Sequence, residues 1–155
     1  DYSSESTIAV DPSGNPYIAW SEINAGGNWQ IFLKRWNGSS WEEMGGSTTG
    51  GGISSNGSVS WKPAVTVDAA GNPYVAWETI TDSPYAYEIY MKRWSGAAWV
   101  EMGGASASGG GVSNSSIRAE EPAIALDSSG NPIIVWHDYT FAFNISQIYI
   151  RRYSP

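Results

Sequence analysis

Apolar and polar residues alternate in short segments along the chain, and this pattern predicts β-strands joined by turns. No segment shows the sustained periodicity of a helix. In the first fifty residues the apolar segments predict four strands, at residues 8–10, 17–20, 30–36 and 41–44. Residues 37–40, Asn-Gly-Ser-Ser, predict a hairpin loop between the third strand and the fourth.

The polar segment between the first two strands fits a type I turn. Asp11 occupies the first turn position, Pro12 the second and Gly14 the fourth, which are the positions that these residues favour. The same spacing of Asp and Gly recurs after Asp68 and after Asp127. We therefore expect three equivalent turns.

The turn belongs to a longer internal repeat. Residues 10–20 recur at 67–77 and 126–136, and residues 31–36 recur at 89–94 and 148–153. Residues 41–46 recur once, at 99–104. The chain therefore reads as one segment, 1–155, with repeats at approximately 1–57, 58–116 and 117–155. The last repeat lacks its fourth strand.

The hairpin loop sets the register of the third and fourth strands. It places Trp36 opposite Trp41 and Lys34 opposite Glu43, both favourable cross-strand pairs. The second repeat offers the same pairs, Trp94 with Trp99 and Lys92 with Glu101. The remaining acidic neighbours, Glu42 and residues 120–121, are interpreted as surface charges.

Four short strands in each period of about 58 residues are typical of a β-propeller blade. We predict an all-β chain of about three four-stranded antiparallel blades. A β-sandwich is the competing fold, but it does not require the same turn at a fixed period.

Two sequence patterns resemble known families. Residues 122–132, Pro-Ala-Ile-Ala-Leu-Asp-Ser-Ser-Gly-Asn-Pro, resemble bacterial propeller repeats of the NHL and SBBP type. Residues 34–46, Lys-Arg-Trp-x-Gly-x-x-Trp-x-x-Met-Gly-Gly, are similar to repeats of secreted bacterial propellers and Trp-rich propeller lectins. The resemblance implies a propeller, a lectin-like role in carbohydrate binding, and an extracellular or cell-surface location.

Composition excludes several classes of function. The net charge of −7, from 8 Lys+Arg and 15 Asp+Glu, disfavours nucleic acid as a partner. No apolar run approaches the ~20 residues of a membrane span. The chain has no Cys and one His, so we expect neither a metal nor another cofactor.

Fewer than four blades do not close a propeller. The two end blades are expected to expose apolar faces that include Ile8, Val10, Ile148 and Ile150. We expect copies of the chain to associate, as a homodimer with a six-blade ring or a homotrimer with a nine-blade ring. A fragment of a longer propeller is the alternative.

Aromatic residues fall into two groups. Trp20, Trp77 and Trp136 recur at one repeat position and are expected to pack between blades. The loops between second and third strands instead carry aromatics that differ from repeat to repeat, as binding loops on a rigid scaffold often do. These candidate ligand-binding residues are Trp29, Tyr85, Tyr87, Tyr139, Phe141 and Phe143. Burial against a neighbouring chain is the other interpretation.

Three carboxylates complete the candidate site. Glu22, Glu78 and Asp138 follow the second strand of each repeat and could hydrogen bond to sugar hydroxyls. Together they could also suit a glycosidase. We favour a non-catalytic, self-assembling binding module, with glycans as the specific ligand class. The alternatives are a structural propeller without a ligand and a fragment of a sialidase- or glycosidase-type enzyme.

Overall fold

The computed structural model describes residues 2–81, 86–115, 118–140 and 145–154. These residues form β-strands and turns, and no helix among them is long and apolar enough to cross a membrane. The first blade is an antiparallel sheet of four strands in chain order. Its strands are β1 (Ser3–Val10), β2 (Pro16–Ile23), β3 (Trp29–Trp36) and β4 (Trp41–Glu42).

The second blade repeats this order, and the third has three strands among the described residues. The second comprises β5 (Ser60–Val67), β6 (Pro73–Ile80), β7 (Tyr87–Trp94) and β8 (Trp99–Val100). The third comprises β9 (Arg118–Leu126), β10 (Pro132–Thr140) and β11 (Ile145–Arg152). A single parallel bridge between Tyr87 and Arg118 joins β7 to β9. The prediction of an all-β chain of propeller blades is confirmed.

The three predicted turns are confirmed. The N–H groups of Gly14, Gly71 and Gly130 donate to the carbonyl oxygens of the turn aspartates at 2.9–3.0 Å. Each aspartate side chain also accepts backbone hydrogen bonds within its own turn. The choice of residues in each turn is therefore explained by the hydrogen bonds that they provide to the turn's own backbone.

The first strands of the blades lie side by side at the inner edge, where β5 packs against both β1 and β9. Each has a β-bulge, marked by a register shift between Ser4 and Thr7 in β1 and by equivalent shifts in the pairings of β5 and β9. Glu5, Lys62 and Glu121 occupy these bulges with φ values of 54°, 48° and 54°. Bulges redirect side chains, and here they bring three charged residues to the inner edge.

Two apolar cores lie between neighbouring blades. The first joins Ile31 and Leu33 of the first blade to Val75 and Trp77 of the second. The second core joins one face of the second blade to the third blade and contains Trp136. Trp77 and Trp136 are 0% and 6% exposed. The predicted inter-blade role of these two tryptophans is confirmed.

The outer strands differ from the prediction. Trp36 faces Trp41 as expected, and Trp94 faces Trp99. The predicted pair of Lys34 with Glu43 is wrong, because β4 ends at Glu42 and that residue forms the ion pair with Arg35 instead. In the second blade, the ammonium of Lys92 donates to the Ile53 carbonyl oxygen and the predicted partner Glu101 accepts from Ser108. Burial lowers the pKa of Lys92, and the charge of Glu101 partly offsets that effect, so the two residues interact without a direct ion pair.

A folded Gly/Ser segment covers the edge of β3 where β4 is too short to do so. The N–H of Leu33 donates to the Ser47 carbonyl at 3.1 Å, and the N–H of Ile53 donates to the Ile31 carbonyl at 2.7 Å. The buried Ser54 hydroxyl accepts from the Ile31 N–H at 3.0 Å. Ser106, Val112 and Ser113 make the same contacts with β7 in the second blade. The segment is thus an integral part of the first two blades.

The end blades expose apolar faces. Ile8 and Val10 on the first blade are 63% and 56% exposed, and Ile148 and Ile150 on the third are 76% and 69% exposed. The predicted exposure of these four side chains is confirmed.

Candidate functional site

The candidate loop aromatics that the structure describes lie at or near the ends of strands. Trp29 begins β3, Tyr87 begins β7, and Tyr139 lies near the end of β10. Three further candidates, Tyr85, Phe141 and Phe143, lie outside the described residues. Trp29 and Tyr87 occupy equivalent repeat positions, so the expectation that the loop aromatics differ in position from repeat to repeat is wrong for this pair. The two residues mark equivalent places at the two junctions between blades.

A cleft of about 220 Å³ opens at the first junction. We call it the aromatic cleft, and its walls are Trp29 and Trp61, with Ser4 and Glu5 at the bulge of β1. Tyr2 supports Trp29 edge-on, with ring centroids 6.1 Å apart. Two tryptophans and a glutamate therefore border one small space.

Contacts from the neighbouring blade and strand position the carboxylate of this cleft. Glu5 Oε2 accepts the backbone N–H of Lys62 at 2.8 Å and the hydroxyl of Ser21 at 3.4 Å. The bulge exposes the Lys62 N–H for this contact, since residues at a bulge leave the regular ladder. Both contacts use the same oxygen, Oε2, and none of the hydrogen bonds among the described residues uses Glu5 Oε1.

The second junction is filled at the equivalent place. Within the second blade, Trp61 and Tyr87 approach with ring centroids 5.8 Å apart. Across the junction, the Arg118 guanidinium lies 4.6 Å from the Tyr87 ring centroid. Arg118 is also paired with Glu120. At the first junction the residue in the repeat position of Arg118 is Val59, which has no guanidinium to cover an aromatic face. The second junction also has Lys62 and Glu120 in the repeat positions of Glu5 and Trp61.

The three candidate carboxylates have separate environments. Glu22 Oε2 accepts the Trp20 indole N–H at 2.7 Å and the Ser3 hydroxyl at 2.9 Å. It lines a wider cleft on the open face of the first blade, of about 470 Å³. Asp138 accepts the Ser115 hydroxyl at 2.9 Å on the third blade.

Glu78 is almost fully buried, at 1% exposure. One of its oxygens accepts the Glu121 N–H at 2.5 Å and lies 3.2 Å from the Lys62 ammonium, and the other accepts the Trp61 indole N–H at 2.5 Å. Burial raises the pKa of Glu78, and these donors partly offset that effect. Burial also opposes the charge of Lys62, but the neighbouring carboxylates, Glu78 first, raise its pKa on balance.

The adjacent residues Glu120 and Glu121, both predicted to lie on the surface, differ in exposure. Glu120 is buried at 6% exposure, so that interpretation is wrong for Glu120, whereas Glu121 is exposed. His137 Nε2 lies 3.4 Å from Glu120 Oε2, and its ring meets Tyr139 edge-on at 5.0 Å. No group of three or more metal-ligating side chains converges within the described ranges.

Sequence reasoning missed Glu5, Trp61 and Lys62 at the junctions. A signal was present, because residues 4–6 and their equivalents at 61–63 differ between repeats whose flanking segments are alike. That difference lies at the bulge, where the inner strands of neighbouring blades meet.

No protein-family model matches this sequence, and the comparison with curated proteins gives no match. The resemblance to NHL and SBBP repeats therefore stays a prediction. Several solved structures share the fold. A fucose lectin from Kordia zhangzhouensis is 14% identical, with a TM-score of 0.55 over 96% of this chain and 95% of that chain.

Two other neighbours are longer. An endo-1,4-beta-xylanase from Bacteroides thetaiotaomicron is 13% identical, with a TM-score of 0.59 over 98% of this chain and 55% of that chain. An endo-arabinanase from Bacillus licheniformis is 20% identical, with a TM-score of 0.52 over 96% and 52%. This chain spans about half the length of these two hydrolases. At such identities the likeness shows the β-propeller fold alone.

Proposed function

We propose that this chain is a non-catalytic carbohydrate-binding module and that the aromatic cleft is its sugar site. The observation that carries the proposal is the pairing of Trp29 and Trp61 with the Glu5 carboxylate in one small cleft. The proposed setting is extracellular, where glycans are displayed.

The chemistry of the cleft suits a sugar ring. Indole faces are electron-rich and pack against the C–H bonds of a sugar, while a carboxylate oxygen accepts hydrogen bonds from hydroxyl groups. The volume of about 220 Å³ is below the roughly 300–1,000 Å³ of clefts for drug-sized ligands. It therefore suits one monosaccharide unit. A fucose lectin among the solved structures of the same fold supports this ligand class.

The absence of catalysis is part of the proposal. A general acid must reach its substrate, but Glu78 is buried and both its oxygens are occupied by Lys62, Trp61 and the Glu121 N–H. Glu22 accepts from Trp20 on the first blade, and Asp138 on the third blade accepts from Ser115. None of the three carboxylates borders the aromatic cleft.

A glycan array tests the proposal directly. Wild-type protein should bind a defined set of glycans on the array, and Trp29→Ala should not bind them. Tyr149→Ala is the matched control, because Tyr149 is a partly exposed aromatic that stacks on Trp136 outside the cleft. The control should bind as wild type does. Absence of any bound glycan would favour the purely structural propeller, and equal loss in both variants would refute the location.

A hydrolysis assay separates binding from catalysis. The glycans that the protein binds on the array are incubated with it in solution, and the products are analysed by mass spectrometry. We expect no cleavage. Cleavage that Glu78→Gln abolishes while the variant still binds the glycan would make the chain an enzyme and would overturn the proposal.

A further inference from the structure

The two exposed end faces are the two halves of a junction that the chain already forms twice. Ile31 and Ile89 occupy one repeat position, point toward the following blade and are both 0% exposed. Ile148 occupies that position in the third blade and is 76% exposed. Ile150 is likewise 69% exposed, although its equivalents Leu33 and Met91 are 0% exposed.

The first blade presents the other half of the junction. Val65 points toward the preceding blade and is 8% exposed, while its equivalent Ile8 is 63% exposed. Val10 beside it is 56% exposed.

We propose that a second copy of this chain covers these faces head to tail, with its third blade packed on the first blade of its neighbour. Continuity with the internal junctions identifies the occupant, because the apolar strand positions of each open face, Ile8 on one and Ile148 and Ile150 on the other, match positions that are buried inside the chain. Such an interface joins two different surfaces, so it propagates until the ring closes. Burial of these isoleucines provides the driving force. This inference does not depend on the proposed sugar site.

Multi-angle light scattering on the purified chain tests this inference. A closed ring of two or three copies should give two or three times the monomer mass of 16.7 kDa. A chain that stays at 16.7 kDa at every concentration would overturn the proposal. So would open-ended growth without a defined mass.

Two single variants test the head-to-tail geometry. Ile8→Asp places a charge on one face and Ile148→Asp places a charge on the other. Both side chains are exposed in the single chain, so each variant should fold, which circular dichroism checks. Each variant alone should fall to the monomer mass, because every junction needs both faces. Loss of assembly in only one variant, or in neither, would overturn head-to-tail packing.

Ala97→Asp is the matched control. It adds the same charge to an exposed alanine in the hairpin loop between β7 and β8, away from both faces. Its mass should equal that of wild type. A monomeric Ala97→Asp would mean that net charge, and not the faces, governs association, and this too would overturn the proposal.

Discussion

Alanine at Gly52 should destabilise the chain far more than alanine at Gly50. Both glycines have a positive φ, +60° and +61°, in the segment that covers β3. A Cβ at Gly50 meets nothing within 4 Å. A Cβ at Gly52 would overlap the Ile31 carbonyl oxygen and press on the Phe32 ring. The two variants therefore share the backbone penalty and differ in the packing penalty.

The magnitude follows from the contacts that the overlap would break. A left-handed alanine costs roughly 1–2 kcal/mol in either variant. In Gly52→Ala the Ile31 carbonyl must move, which weakens its 2.7 Å hydrogen bond from the Ile53 N–H, worth about 1 kcal/mol. It also draws Ile53, only 2% exposed, partly out of the core, where full burial is worth roughly 1.5–3 kcal/mol. The expected loss is about 3–5 kcal/mol for Gly52→Ala and about 1–2 kcal/mol for Gly50→Ala.

Urea unfolding followed by tryptophan fluorescence measures the difference, at one fixed protein concentration because association shifts apparent stability. The second blade provides an independent repeat of the test. Gly111 meets Tyr90 and the Ile89 carbonyl in the same way, and Gly109 meets nothing within 4 Å. Equal losses for Gly52→Ala and Gly50→Ala, within about 0.5 kcal/mol, would refute the idea that the Gly/Ser segment acts as part of the blade.

Three further predictions concern packing, pH and binding. Trp77→Ala should lower the free energy of unfolding in urea by about 3–5 kcal/mol. Trp20 is half-buried, so Trp20→Ala should lower it less, at a concentration where the chain is monomeric. Equal losses would contradict the assignment of Trp77 to a core between blades. Hydrogen bonds from Asn131, helped by Arg152, lower the pKa of Asp127 from 3.8 to about 2. A carboxyl whose pKa is lowered on folding stabilises the chain above pH 4, and this contribution is lost as the pH falls toward 2. The free energy of unfolding of Asp127→Asn should therefore fall less steeply between pH 4 and pH 2 than that of the wild type. An equally steep fall would contradict this assignment. Arg118→Val should uncover the Tyr87 ring but leave the number of sugar sites seen by calorimetry at one, because Lys62 and Glu120 occupy the repeat positions of Glu5 and Trp61 at that junction. A second site would show that neither the carboxylate nor the second indole is needed for binding.

The repeat made much of the fold predictable. The turn at Asp127 and the cross-strand pair of Trp36 with Trp41 depend on residues close in sequence, so local rules suffice. The exposure of Ile148 was predictable too, because a repeat position that is apolar in every blade has no partner at the end of a series.

Contacts between distant segments were not predictable. The Gly/Ser composition of residues 45–60 is typical of a linker, and the buried contacts of Ser47 and Ser54 appear only once the segment folds back on β3. The Lys34–Glu43 prediction failed for the same reason. This segment takes over pairing with β3 at Leu33, so β4 stops at Glu42.

The candidate site was predictable in part. The choice of Trp29 as a candidate ligand-binding residue rested on the variability of the aromatic loops, and the structure places Trp29 in the wall of a cleft. Its partners Trp61 and Glu5 depend on the bulges of β1 and β5, and no local pattern predicts which side chains a bulge redirects.

Isothermal titration calorimetry with a glycan selected from the array tests the central claim most directly. The sugar-site account predicts one site per chain and at least tenfold weaker binding for Trp29→Ala, a loss of about 1.4 kcal/mol. Tyr149→Ala should bind with wild-type affinity. Wild-type affinity in Trp29→Ala, with the chain folded, would contradict the assignment of the aromatic cleft as the sugar site.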